Sequence, residues 1–490
     1  MTKKILYILI AAPVLLFTAC KKDYLDTAPT DAYPADDVFT TVTNGWAAIN
    51  GIHRSLYMQY DYQDQGGQGS MMIINDMMGD DLVMTSNGNT WFFTSYQWTM
   101  HRNSSATLLK FTYLFYYKII ANANAIINNI DYAVGSEVER KAIKGQARAY
   151  RAWAYFALVQ MYGKRYDATS DNSSLGVPLV LTNTVEGLPR ASVAEVYKQI
   201  NFDIDSAIIN LNGFVNSRGK SHISANTAKG IKARIALAMQ DWTAANQYAA
   251  EAKSGFTLMT NEAYVTGFND LTNVEWMWGS RQIAEQTTYF YSFFAFMSAN
   301  YGSSNIRVNP KAINSALYNK ITATDVRKTL WSPTGAGIPV NEGARYPYIN
   351  KKFLVASTST SIGDVPLMRA AEMYLTEAEA KSRLGQDGAA ADVLYTLAVN
   401  RDPAYVKSTA TGDALLQEIL TQRRVELWGE GFRFFDLKRM HVPLDRTGAN
   451  HVAALTTAAA MTIPADDIIW EFLIPQDEVN ANKAIEQNPI

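Results

Sequence analysis

Apolar residues recur at helical spacing through most of this chain. From Val42 the segment GWAAINGIHRSL carries helical signals. Ser136 and Glu139 in SEVE have the spacing of a capping box and predict the start of a long helix that ends at Gly163. In that helix Ile143, Ala147, Tyr150, Ala154, Ala157 and Met161 share one face. Trp153 and Phe156 widen the stripe, so burial on more than one side is expected. Lys141, Lys144, Arg148 and Arg151 form a second stripe, expected to be solvated or salt-bridged. Residues 189–211 are amphipathic, with Val196, Ile200, Ile204, Ala207 and Leu211 spaced by threes and fours. Residues 225–255 read as two helices meeting at QDW, with small alanines at their contact and Gly255 at the C-cap. Residues 369–401 repeat that plan around a Gly385–Gly388 turn.

Two stretches break the helical pattern. Residues 60–105 look irregular and rich in Gly, Asn, Met and aromatics, and residues 256–365 carry VEWMWGSRQIAEQTTYFYSFFAFM and WSPTGAGIPVNEGARYPY. The helix pairs on either side of the second stretch resemble tetratricopeptide units without a strict period. The expected fold is therefore mainly α: a tetratricopeptide-like helix-pair scaffold (an α-α superhelix) with two large, irregular, aromatic-rich excursions. Long loops in compact domains are functional or disordered, and aromatic-rich ones carry enough apolar surface to stay ordered.

The N-terminus has a different pattern. Lys3 and Lys4 precede an apolar run from Ile5 to Phe17, followed by the small residues Thr18 and Ala19 and then Cys20, the single cysteine among 490 residues. The run is short for a membrane span and has the anatomy of a secretory signal. Its junction resembles the bacterial lipoprotein cleavage site, at which the thiol becomes the lipid attachment point. A lone cysteine can close no intramolecular disulfide. KKDYLDTAPTDAYPADD is polar and reads as a tether. The expected organisation is a signal peptide at 1–19, a lipid-anchored tether at 20–40 and one domain at 41–490. The N-terminal half of that domain runs to about 255 and the C-terminal half covers 256–490.

Charge and composition narrow the chemistry. Forty-four basic and forty-six acidic residues leave a net charge of −2, without the basic field that nucleic-acid binding needs. The five histidines are scattered, and H-E-x-x-H, G-x-x-x-x-G-K-[ST] and G-x-S-x-G are absent. Asp76, Asp80 and Asp81 could furnish a carboxylate pair or a calcium site, but they lack calcium-loop spacing. No catalytic residue, metal site or cofactor is expected. Ten Trp, twenty-seven Tyr and twenty Phe raise the question of what the exposed rings touch. Aromatics of the helix pairs are consumed by packing, which leaves those of the excursions: Trp91, Trp98, Trp276, Trp278, Tyr289, Tyr291 and Trp331. Trp276 and Trp278 alternate around Met277 and would share one face of an extended segment. Asn87, Asn89 and Arg281 could supply hydroxyl contacts beside them.

The densest stretch is QRRVELWGEGFRFFDLKRM, residues 422–440. Arg423, Arg424, Arg433 and Arg439 interleave with Glu426, Glu430 and Asp436, which predicts a buried ion-pair network locking a helix end and turn. Acids matched to arginines leave no spare charge for an anionic ligand. The stretch resembles the R-R-x-E-L-x-x-E-G-x-R-x-x-D-L-x-R signature of the SusD/RagB family of Bacteroidetes surface lipoproteins. CKKDYLDTAP, AAINGIHRSL, RAYRAWAYFALVQMYG, LPRASVAEVYKQINFDIDSA, RAAEMYLTEAEA and LIPQDEVNANKAIEQNP are similar to further segments of that family. His53 stands where the family usually has Tyr, and Lys483 replaces a proline.

The resemblance implies a lipoprotein of the outer membrane, facing outward and attached through lipid on Cys20 alone. Lys21, Lys22 and Asp23 resemble the charged export tag of such proteins. It also implies a partner, a SusC-type TonB-dependent transporter on which the protein lies as a lid. The leading expectation is a non-catalytic protein that binds oligosaccharide or polysaccharide for import. A peptide-binding lipoprotein of the same family and a secreted glycoside hydrolase are the alternatives.

Overall fold

The structure, a computed structural model, describes residues 38–287, 290–339 and 345–490. The signal segment, Cys20, the tether as far as residue 37 and Tyr289 lie outside the described residues. The principal helices in the first half are α1 (Val42–Ser55), α2 (Gly67–Met77), α3 (Thr107–Asn129), α4 (Glu137–Tyr162), α5 (Val193–Leu211), α6 (Ala225–Ala238) and α7 (Trp242–Ala252). After the second excursion come α8 (Ala370–Arg383), α9 (Asp387–Arg401), α10 (Gly412–Glu426) and α11 (Arg433–Met440).

From α3 to α7 each helix packs on the next, α7 packs on α8, and α8 packs on α9 and α10. The two blocks of helix pairs, remote in sequence, are thus one continuous array. Ala236, Leu237, Ala245 and Ala380 form the cluster at the join, where short side chains let the helices approach closely. No described helix is long and apolar enough to cross a membrane.

Helix α4 buries all six residues of its apolar stripe together with Trp153 and Phe156. Its basic stripe is salt-bridged. Arg151 is itself buried and donates through Nε and Nη2 to Asp203 of α5 at 2.8 and 2.7 Å, while Lys141 pairs with Glu137 and Lys144 with Asp131. The capping box expected at 136–139 does not form. Ser136 is the N-cap residue, but its side chain caps nothing, and Glu139 Oε1 instead accepts from Trp46 Nε1 at 3.1 Å, tying α1 to α4. The reciprocal box occurs at α5, between Ser192 and Glu195.

The excursions are more ordered than their composition predicts. Helix α2 forms from GQGSMMIINDM because every residue but Gln68 is buried, and packing overrides the poor propensity of glycine and asparagine. Strand β1 (Leu82–Met84) pairs antiparallel with β3 (Lys311–Ile313), Leu82 opposite Ile313, and so joins the first excursion to the second. Strand β2 (Trp276–Ser280) pairs antiparallel with β4 (Val365–Arg369), so most of the second excursion leaves and returns through a two-stranded neck.

Candidate functional site

The signature turn is held by charge from distant parts of the chain. At the end of α10, Glu426 lies fully buried among three guanidiniums. Its Oε1 accepts from Arg369 Nη1 at 2.9 Å and Arg401 Nη2 at 3.1 Å, and its Oε2 accepts from Arg327 Nη1 at 3.2 Å. Burial alone would raise this carboxyl's pKa, but Arg401, Arg369 and Arg327 outweigh it and hold the group well below the usual carboxylate range. Glu430 accepts from Arg369 Nη2 and Lys352 Nζ, both at 2.7 Å. In α11, Asp436 accepts from Arg423 at 2.7 Å and Arg439 at 2.8 Å, and these two arginines hold it at about 2 against the upward push of burial. Arg439 also forks onto Glu379 of α8, with both contacts at 2.7 Å.

The remaining two arginines reach the first excursion. Arg424 donates to Asp81 at 2.9 and 2.5 Å, and Arg433 Nε donates to Asp80 at 2.5 Å. Asp76 accepts from the backbone N–H of Gly431 at 2.9 Å and of Arg433 at 3.2 Å. Gly431 has φ +85, and a Cβ there would come within 2.7 Å of Met72 Cα, so glycine alone lets the turn lie on α2. The three aspartates considered as a carboxylate pair or calcium site are thus bound into this network. Among the described residues no group of three or more His, Cys, Asp or Glu is arranged to hold a metal ion.

Most of the rings expected to face a ligand are instead core. Trp276 and Trp278 are fully buried, and a register shift separates them in β2. Trp278 stands edge-on to Tyr150 and Trp153 of α4, with ring centroids 5.9 and 5.4 Å away. Trp98 packs among His101, Phe434 and Trp470, and its Nε1 donates to the Met78 carbonyl at 3.0 Å. Trp331 lies edge-on to Trp428 at 5.5 Å, and Tyr291 is buried as well. The reason is that each excursion must build a core of its own, and large aromatics supply most of its apolar area. Arg281 is exposed, but it lies near Asp364 at the β2–β4 neck and not with the asparagines.

The structure does bring Asn87, Asn89 and Trp91 together. Both asparagines are exposed, and Trp91 is half-buried with one part packed on the core. Asn89 Nδ2 donates across the excursion boundary to Ser304 Oγ at 3.1 Å and Asn305 Oδ1 at 3.2 Å. Thr85 Oγ1 donates to the Pro310 carbonyl at 2.8 Å, extending the β1–β3 contact. Thr90 and Phe92, on either side of Trp91, take left-handed conformations at φ 65 and 60, which β-branched and bulky residues rarely adopt. A Cβ at Gly88 would meet Asn309 Cβ at 2.7 Å, so that glycine permits the close approach of the two excursions.

Beneath this turn, the buried Arg446 donates to the carbonyls of Met77 at 2.6 Å, Gly79 at 3.0 Å and Tyr96 at 2.7 Å and lies over the Tyr96 ring. It fixes the base of the loop that carries Trp91. Sequence reasoning missed Ser304, Asn305 and Arg446. The Asn-Gly step at 87–88 was the local turn signal, and the polar run at 303–305 was the counterpart in the second excursion. The resulting patch joins an indole to amide and hydroxyl groups on a rigid base, a combination suited to a ligand with apolar faces and polar edges.

Sequence models place the chain among known proteins. The model of the SusD family matches residues 285–490, and one described as starch-binding, associating with outer membrane, matches residues 23–237. Both segments are similar to SusD-type proteins, and together they span most of the chain. A SusD-like protein of Bacteroides ovatus is 25% identical over 470 residues, covering 88% of this chain and 81% of that one. A SusD-like carbohydrate binding protein from Bacteroides vulgatus has a solved structure that matches with TM-score 0.80 at 27% identity, covering 91% of this chain and 98% of its own. A SusD superfamily protein from Bacteroides thetaiotaomicron, 23% identical, shares the fold with TM-score 0.79, covering 92% of this chain and 100% of its own. The SusD match contains the whole signature turn and most of the second excursion, and the starch-binding match contains α1 to α5 and the first excursion.

Proposed function

We propose that this SusD-like protein binds oligosaccharide or polysaccharide, without catalysis, at the junction of its two excursions and delivers it to a SusC-type TonB-dependent transporter. The observation that carries this reading is the turn at residues 87–92, where the half-buried Trp91 follows the exposed Asn87 and Asn89 and Asn89 is hydrogen-bonded across to Ser304 and Asn305 of the second excursion. A sugar ring stacks its C–H face on an indole and offers hydroxyls to amides. The commitment of Asp76, Asp80 and Asp81 to the signature turn supports binding rather than hydrolysis. Steady release of products from oligosaccharides by the purified protein would sink this part of the reading.

Trp91→Ala and Asn89→Ala are expected to weaken oligosaccharide binding roughly tenfold or more, the effect of losing an anchoring contact. The melting temperature should stay near that of the wild type. Calorimetric titration alongside thermal unfolding separates the two effects, and normal affinity in both variants would place the site elsewhere. The anchor is Cys20, acylated as the first residue of the mature chain and holding the protein on the outer face of the outer membrane. Cys20→Ser should yield a soluble form or an uncleaved precursor. A variant that still fractionates with outer membrane would mean that attachment lies at another point.

A further inference from the structure

We propose a second binding site, for a single neutral sugar ring, in the cleft between helices α4 and α6 and the signature turn. The cleft offers about 90 Å³ of space to the centre of a water-sized sphere. At about 10–15 Å³ for one water, this is room for several, which matches one pyranose rather than a chain. None of its lining residues belongs to the junction of the excursions. The mouth is formed by half-buried residues, among them Gln68, Gln160 and Phe435, so the cleft communicates with solvent.

Two deeply buried polar residues in the lining carry the chemistry. Asn75, 2% exposed, keeps Oδ1 without a protein partner, and Arg423, 4% exposed, keeps Nη1 without one. Buried polar atoms are costly to leave unpaired, so these two define what a ligand must supply: a hydrogen for Asn75 and a lone pair for Arg423. Hydroxyl groups carry both. A carboxylate would answer the arginine only, and it would lie in a cleft also lined by Asp436 and Glu430.

The other cations of the lining are already matched, Arg234 to Glu372 with both contacts at 2.6 Å and Arg439 to Glu379 and Asp436. The balance therefore favours a neutral polyol over an anion. Trp153, Phe156 and Phe435 supply the rings for its C–H faces, whereas Phe432 is taken, with the Arg234 guanidinium 5.1 Å and the Arg423 guanidinium 5.2 Å from its ring centre.

The test is titration of the purified protein with D-glucose, D-galactose and D-mannose, with D-glucuronate as the anionic comparator, followed by calorimetry and saturation-transfer NMR. At least one neutral pyranose should bind saturably and more tightly than glucuronate. Asn75→Leu removes the unpaired acceptor while keeping the branched shape and heavy-atom count of the side chain, and Ala157→Leu fills the cleft. Each should weaken that pyranose about tenfold or more, as the loss of one buried hydrogen bond or of the space itself would do. Trp91→Ala should leave it unchanged, which separates this site from the proposed glycan junction. Should Ala157→Leu fail to fold, Asn75→Leu decides alone, because its side chain makes no hydrogen bond in the fold. Saturation by none of the three neutral sugars, tighter binding of glucuronate, or undiminished affinity in Asn75→Leu overturns the proposal.

Discussion

Glu426→Ala is expected to destabilise the protein by about 3–5 kcal/mol, the range for removing one partner of a buried ion pair. The cost comes from what remains. Arg327, Arg369 and Arg401 are each at most 1% exposed, and without Glu426 three guanidiniums would face one another with Glu275, Glu430 and Asp325 as their remaining anions. Rearrangement is restricted, because Arg401 also donates to the Met259 carbonyl and Arg369 to the carbonyl of residue 426 itself. The intact network contributes little net stability relative to an apolar core, yet removing Glu426 leaves the cations Arg327, Arg369, Arg401 and Lys352 out of water with one anion too few. Since whole domains are stable by only about 5–15 kcal/mol, the variant should unfold at much lower denaturant or fail to accumulate. A denaturation midpoint equal to wild type would show that the arginines find other partners.

Trp98→Ala is expected to cost a comparable amount, about 3–5 kcal/mol, as large-to-small changes of buried tryptophan do. The ring fills the space between His101, Phe434 and Trp470, and its N–H answers the Met78 carbonyl, so truncation leaves both a cavity and an unpaired acceptor. Trp98→Phe keeps most of the volume and should recover much of the loss. Chemical denaturation read together with glycan titration decides the matter. Retained stability with lost affinity in Trp98→Ala would return this residue to the ligand site.

The contrast between Trp98 and Trp91 shows what a sequence can reveal of this protein. The periodicity of α4 predicted which face is buried, because that face is set by spacing along one helix. The signature arginines could be seen to be ion-paired in the same way, but their partners could not. Arg424 and Arg433 meet Asp81 and Asp80 more than three hundred residues away, and Glu426 meets Arg327, Arg369 and Arg401. The local pattern offered nearby acids, and only Asp436 was used in that way.

The same limit governed the aromatics. Seven rings beside polar residues looked alike in sequence, and burial depended on which excursion surface lay against α4 or the signature turn. Helix α3 went unpredicted because its apolar positions spread around more than one face and blur the period. The left-handed turn at Thr90 and Phe92 has no signature in those residue types, which disfavour it, so it becomes visible only once the two excursions are in contact.

The β2–β4 neck has a consequence in polymer terms. The chain from Arg281 to Asp364 begins and ends on neighbouring strands, so its ends are held together whatever lies between them. The entropy of closing such a loop grows only with the logarithm of its length, and doubling it adds about 0.6 kcal/mol. Insertions in the surface turns of this segment therefore cost the helical array little, provided that Arg327, Trp331 and Lys352 keep their places against the signature turn, so the recognition surface can be lengthened while the array keeps one shape.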